Sequence, residues 1–488
     1  MADVAAAKLR RLEHHRGVGD VLKPSSFNME HLPSEIQPVV MSLLSLKEAA
    51  RTSIVARNWR KLWTCHPNLC FDGSEHWPTE EDYIKIKRTN FIETVNYIVQ
   101  QHTGTGLNKF SIRFRLGKEH SDHLYKWIGF ATASRARIID IDLWPKRSKI
   151  GPLAEVCDFP LELLGVQDGP FIQSLFLKYV SIKAHSDLCG FRKIRRLLLH
   201  CVEIFGDLPG LLSNCCALED LELVSCRGVV HLNVPHQLNE LRHLLISKFF
   251  ARSIDFHVAG LAHFEYSGEV IPIALHGCSK LEKATITFIG ILEKENFALS
   301  HAFTSIPTIS AVKVLNLIAD MQAHPVWAPQ VHALMTRPAY MFMLLRHLTC
   351  EIKIFTDDAD NHVGMIRFAH FLNLAPQLET LQLHMFFYSY HSPSWHEEPT
   401  GNEVSSCLHH LNKLKTVYMS GFRCYWSQVE LLYGILVKSS SVLEHITIDP
   451  KVKIKPCGSE NSYLPIYKIR DLARRAYQSF GKAINVVE

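Results

Sequence analysis

From about residue 107 onward a short pattern, apolar-x-x-apolar-x-apolar, returns about a dozen times along the chain. The copies are Leu107/Phe110/Ile112, Ile138/Ile141/Leu143, Ile172/Leu175/Leu177, Ile194/Leu197/Leu199, Leu218/Leu221/Leu223, Leu241/Leu244/Ile246 and Leu261/Phe264/Tyr266. They continue with Leu281/Ala284/Ile286, Val312/Leu315/Leu317, Leu345/Leu348/Cys350, Leu378/Leu381/Leu383, Leu414/Val417/Met419 and Leu443/Ile446/Ile448. The last two apolar positions of each copy lie two apart, the period of a half-buried strand. A single strand with its return segment cannot cover its own apolar face, whereas neighbours stacked at intervals of roughly 20 to 36 residues share one continuous core. The expected fold is therefore an α/β solenoid, a curved parallel sheet backed by outer helices and loops. A doubly wound α/β domain would instead show near-continuous apolar strands without the fixed spacing.

Composition supports a folded chain and excludes several functions. Of 488 residues, 47% are hydrophobic and 21% charged, and the net charge of +5 is thin over this length. A dedicated nucleic-acid binder carries a far stronger field, so no nucleic-acid partner is expected. The thirteen cysteines are an odd count and form no CxxC pair; free buried thiols in the cytoplasm or nucleus are the expectation. Met1 to Asp20 has no apolar segment of the kind a secretory signal carries, and no apolar run reaches the ~20 residues that would span a bilayer, so no membrane partner is expected. The sequence contains no P-loop, no G-x-G-x-x-G after a strand, no H-E-x-x-H and no G-x-S-x-G. Its 28 histidines include the pairs His14/His15 and His409/His410, which lack ligand spacing. No catalytic residue, cofactor or metal is assigned. The basic cluster Arg192, Lys193, Arg195 and Arg196, and Lys146, Arg147 and Lys149 after Trp144, read as solvated faces.

A second organised segment precedes the repeats. His31 to Gly73 reads as three short helices, two of them started by capping boxes, Ser34 with Gln37 and Ser45 with Glu48. The first helix is expected to bury Ile36, Val40, Leu43 and Leu44. The second offers Leu46, Ala49, Ala50 and Ile54, and the third Val55, Trp59, Leu62 and Trp63. About 40 residues seldom bury enough surface to stand alone, so this module is expected to need a partner. Leu43, Ala49, Ala50 and Ile54 are assigned to its small core, and Leu32, Pro33, Val55, Trp59 and Trp63 to partner contact.

The Leu32-Pro33 opening, the Leu46 to Ser53 centre and the Arg57 to Trp63 close resemble the F-box, the adaptor-binding module of substrate receptors in cullin-type ubiquitin ligases. Pro67-Asn68-Leu69-Cys70-Phe71 resembles the plant form of its tail. The departure is Pro38: with Ser34 as cap it falls at the fourth helical position, where it removes one donor and kinks the helix mildly. The resemblance implies that Leu32, Pro33, Ile36, Val40, Leu44, Leu46, Val55, Trp59, Leu62 and Trp63 bind a Skp-family adaptor and, through it, a cullin.

Leu218 to Leu223, followed three residues later by Cys226, resembles a leucine-rich repeat with its N/C position. Cys407 to Pro450 resembles the FBD module that follows such repeats in plant proteins: a strand at Leu414, a Gly421-Phe422 turn, a helix near Ser427 to Lys438, then a strand at Ile446. A final helix from Lys468 to Phe480 is expected to cap the solenoid. The expected layout is a tail over 1–28, the F-box over 29–73, a connecting helix over 74–103 with Ile84, Phe91, Val95 and Ile98 on one face, repeats over 104–402, and terminal repeats with cap over 403–488. The whole resembles a plant F-box protein with leucine-rich repeats. That implies a non-catalytic substrate receptor, in the nucleus or cytoplasm, that captures an unknown protein substrate on the residues between the inward positions, such as Phe176, Glu222 and His243. A protein-interaction scaffold with a degenerate F-box is the alternative.

Overall fold

The structure, a computed structural model, describes residues 36–55, 62–73, 81–104, 106–144, 156–164, 171–187, 191–234, 238–269, 271–288, 307–323, 341–356, 363–388, 407–439, 441–451 and 466–487. The chain forms two compact units, one of residues 1–241 with 249–251, the other of residues 242–248 with 252–488.

The first unit opens with helices α1 (Gln37–Leu43) and α2 (Leu46–Val55). The capping box at the start of α2 closes in both directions: the Ser45 amide donates to Glu48 Oε2 at 2.8 Å, and the Glu48 amide to Ser45 Oγ at 3.3 Å. The bonds from Ser45 hold the Glu48 carboxyl below the usual carboxylate range. Ser34 of the first box lies outside the described residues. Helix α1 begins at Gln37 with Ile36 before it, and no side chain caps it. Pro38 therefore occupies the second helical position, where an amide has no intrahelical acceptor, so the proline costs no hydrogen bond and the reason to expect a kink disappears.

The expected third helix is described only as a single 3₁₀ turn, Leu62–Cys65, because Trp59 lies outside the described residues. The tail that follows is a strand. β1 (Asn68–Asp72) pairs in parallel with β2 (Lys109–Arg113), placing Leu69 beside Phe110 and Phe71 beside Ile112. The sheet of the repeats thus begins inside the F-box segment, ahead of the expected boundary at 104. His66, fully buried, ties the two parts together: Asn68 N–H donates to its Nδ1 at 3.0 Å, which leaves Nε2 to donate to Leu44 O, also at 3.0 Å.

Helix α3 (Glu81–Gln101) connects β1 to β2 and buries Phe91, Val95 and Ile98, while Ile84 is half-buried. Helix α4 (Ser121–Ala133) leads to β3 (Ile138–Asp142), and its buried Trp127 donates Nε1–H to Asn96 Oδ1 at 2.7 Å, fixing α4 on α3. The ladder continues in parallel through β5 (Ser174–Lys178), β7 (Arg196–His200) and β9 (Asp220–Val224). Between these strands lie β4 (Cys157–Phe159), β6 (Val180–Ala184) and β8 (Glu203–Gly206), a second small sheet, then α5 (Leu208–Ser213) and β10 (His231–Val234).

The second unit repeats the scheme. Its parallel ladder runs β11 (His243–Ser247), β13 (His263–Gly268), β15 (Lys283–Phe288), β16 (Val314–Ala323), β17 (His347–Thr356), β18 (Thr380–Tyr388), β19 (Thr416–Ser420), β20 (His445–Asp449) and β21 (Ile484–Val486). β12 (Ser253–His257) and β14 (Ile273–His276) form a parallel outer pair. Helix α6 (Val363–Leu372) precedes β18, α7 (Trp426–Ser439) links β19 to β20, and α8 (Ile466–Phe480) links β20 to β21. The helix expected as an end cap is therefore a crossover between two strands.

Intervals of roughly 20 to 24 residues come back through a short outer strand, to which the return before β9 adds α5, and several near 30 come back through a helix, which needs more chain for its turns. The short repeats also share a corner. Tyr179, Cys201 and Ser225 each follow a ladder strand of the first unit by one residue and adopt φ of 57°, 53° and 54°; Lys248 does the same after β11 at 48°. This left-handed residue turns the chain from the ladder toward the outer strand.

Every apolar triplet read from the sequence is buried except one. In the second copy the ladder pairs Phe110 with Ile139 and Ile112 with Ile141. The inward set is thus Ala136, Ile139 and Ile141, and Ile138 stands half-exposed on the other face. Cys226 fills the N/C position as expected: its buried thiol donates to Leu199 O at 3.1 Å, and burial pushes its pKa up to about 12.

Candidate interaction surfaces

The surface of α1 is apolar where a free-standing helix would be polar. Ile36 is 45% exposed, Val39 59% and Leu43 80%. At 100° per residue these positions, i, i+3 and i+7, fall within about 60° of one another, the spacing with which an amphipathic helix fills a partner's groove. Val40 and Leu44 flank the stripe, half-buried. The side facing inward carries Met41, with Leu46, Ala49 and Ala50 of α2 also buried.

This geometry corrects four assignments. Ile36, expected to be buried by the first helix, is exposed, and Leu43, expected in the core, is the most exposed large apolar residue among those described. Trp63, expected at the partner, is 5% exposed, and Leu46, named for adaptor contact, is likewise 5% exposed. The 3₁₀ turn packs against α1 and α2 and buries Trp63, which supplies bulk that two short helices cannot provide alone. Leu62 is half-buried. Leu32, Pro33 and Trp59 lie outside the described residues, and the side chains of Ile54 and Val55 are not described. Val39 was missed by the sequence reading, although its i+3 spacing from Ile36 was a signal available there.

The outward face of the ladder in the first unit carries Phe176 and Glu222, both half-buried and on the side their alternation required. They are joined through neighbours. The Arg196 guanidinium stacks over the Phe176 ring at 5.4 Å and meets Asp220 at 3.2 Å, while Glu222 pairs with His200 at 3.2 Å. Arg195 pairs with Glu219 at 3.3 Å, so two of the four residues of the basic cluster are matched by acids of the next repeat. Farther along this face Asp142, with Arg113 at 3.7 Å and Lys178 at 3.8 Å, has its carboxyl pushed up by burial despite both cations. In the second unit His243 stands outward on β11, 3.8 Å from Glu265 and edge-on to His263. Along that unit's ladder the following outward positions are mostly polar and uncharged: Thr285, Asn316, Thr349, Gln382, Tyr418 and Thr447. Lys146, Arg147 and Lys149 lie outside the described residues. Among the described residues no helix is long and apolar enough to cross a membrane.

A short docking module with an exposed apolar stripe, joined through its own tail strand to ladders of strand-and-return repeats, is the architecture of an F-box protein with leucine-rich repeats. Two family models match accordingly: the F-box domain over residues 29–71, and the leucine-rich-repeat domain of the At1g61320/AtMIF1 type over residues 98–485. The second covers most of the chain, which belongs to that leucine-rich-repeat family. The Cys407 to Pro450 segment, expected from its sequence as an FBD module, falls within this same match. Among curated proteins of Arabidopsis thaliana, the F-box/LRR-repeat protein At3g58900 is 27% identical over 48% of this chain and 71% of its own length. The F-box/LRR-repeat protein At3g59210 is 25% identical over 59% of this chain and 62% of its own. The putative F-box protein At1g58310 is 23% identical over 72% of each.

Proposed function

We propose that this chain is the substrate-receptor subunit of an SCF-type cullin ubiquitin ligase, acting in the nucleus or cytoplasm. The observation that carries the reading is the solvent-facing Ile36, Val39 and Leu43 stripe, an apolar surface that a 7-residue helix gains nothing by exposing unless a partner covers it. A Skp-family adaptor is that partner, and a cullin follows through it. The outward rows of the ladders, Phe176 and Glu222 in one unit and His243 in the other, hold a protein substrate. In this role the chain needs no reactive group of its own. It raises the effective concentration of a substrate lysine near the conjugating enzyme, and that tethering is its whole contribution to the rate. The rival reading, a scaffold with a degenerate F-box, drew on Pro38, and the position of Pro38 in the first turn of α1 removes that support.

The test is co-expression of the full chain with a Skp-family adaptor and a cullin, followed by affinity purification. Wild type is expected to retain both, and Val39→Asp/Leu43→Asp to lose both while keeping its substrate proteins. No adaptor on the wild-type chain, or equal adaptor on the double variant, refutes the reading.

A further inference from the structure

The outer pair β12 and β14 turns Ile254, Phe256, Ile273 and Leu275 inward, all buried. Alternation sends Asp255, His257, Ala274 and His276 to the opposite face. The register sets His257 directly beside His276 and Asp255 beside Ala274. With only a methyl group opposite it, the Asp255 carboxylate has room to lean along the pair toward His276, and its Oδ1 comes within 3.1 Å of Nε2. The two imidazoles are near-parallel, with centroids 4.7 Å apart and planes inclined by 27°. One donor atom from each of the three side chains lies within 4.8 Å of the other two.

A second observation concerns the carboxylate. Asp255 Oδ1 is shielded from water yet accepts no hydrogen bond, because Nε2 approaches it off the line that a donated hydrogen requires. An enclosed carboxylate oxygen that accepts no hydrogen bond is unfavourable, and a cation between it and the imidazoles would satisfy it.

We propose that Asp255, His257 and His276 form a binding site for a divalent transition-metal ion of the zinc class, which staples two successive repeats of the second unit. Two imidazole nitrogens and one carboxylate oxygen suit zinc, whereas magnesium and calcium call for oxygen ligands alone. Metal–ligand bonds of ~2.0–2.2 Å set adjacent donors roughly 3.0–3.5 Å apart. The Asp255–His276 edge already has that separation, and a rotamer adjustment of His257 closes the remainder. Side-chain exposures of 37% for Asp255 and 53% for His276 leave the remaining coordination positions open to water.

The experiment uses the full chain stripped with chelator, then titrated with cobalt(II) as a spectroscopic probe and with zinc by calorimetry. Wild type is expected to bind one equivalent of cobalt with visible ligand-field bands, displaced by zinc. His257→Gln/His276→Gln should lose that equivalent, and Asp255→Asn should weaken it at least tenfold. Zinc should raise the melting temperature of wild type and leave that of the double variant unchanged. The two histidines are exposed, so the metal-free melting temperature of the double variant should match wild type, which separates loss of the site from misfolding. The same cobalt spectrum and stoichiometry in the double variant would place the metal on other histidines or cysteines and overturn the proposal. So would wild type that binds neither ion.

Discussion

Replacing Leu43 with alanine separates a docking face from a core. Leu43 is 80% exposed in the free chain, so Leu43→Ala removes almost no buried surface and should change the unfolding free energy by no more than ~0.5 kcal/mol. If the stripe docks, the lost carbons forfeit about 2 kcal/mol of burial at the partner, or roughly a 30-fold rise in Kd. Trp63→Ala is the complementary variant. Its indole is 5% exposed, and truncating a buried aromatic of that size costs ~3–5 kcal/mol of folding stability. Urea unfolding followed by circular dichroism, with adaptor affinity by calorimetry, gives both numbers for each variant. The reasoning fails if Leu43→Ala lowers the unfolding free energy by more than ~2 kcal/mol with an unchanged Kd, for then the leucine belongs to the core and the indole to the partner.

Two further outcomes follow from the solenoid's own geometry. Gly228 has φ +98°, and an added Cβ would collide with Ile204 O, whereas Gly106, at φ +86°, has nothing within 4 Å. Gly106→Ala should therefore cost only the ~1–2 kcal/mol of left-handed backbone and Gly228→Ala distinctly more, and equal losses in urea melts would show that the corner can shift. Burial holds the His102 and His120 imidazoles below the usual histidine range. The unfolded chain therefore binds more protons than the folded one as pH falls below ~6.5, and stability present above that pH is lost as pH drops toward the lowered values. Urea midpoints between pH 8 and pH 5 should show this fall, and His102→Gln/His120→Gln should flatten it.

The strands were legible because their signal is local. Each ladder strand carries its inward residues two apart, and no distant contact can change which side an alternating chain offers to a core. That is why Phe176, Glu222 and His243 stand outward as read, and why Cys226 occupies its buried turn. The one slip, at Ile138, has a cause in side-chain size. The true first position is Ala136, too small to announce itself, and Leu143, which also completes the spacing, is itself buried just beyond the strand.

Helix α1 was legible as a helix, and its orientation was not. Seven residues carrying Val39, Val40, Met41 and Leu43 offer apolar side chains to several directions. Which of them turns inward is decided by what arrives to cover them: Trp63 on its 3₁₀ turn, α2, and His66 holding Leu44 O. Likewise Asp255 and His257 are two apart in sequence, but His276 joins them only because two return strands pair in one register. Sequence by itself settled where the strands lie, which of their faces is apolar and that the repeats stack, since those follow from a period of two and a repeated length. Tertiary structure alone decided which side of a short helix is left for a partner and which residues of different repeats meet, since both depend on chain distant in sequence.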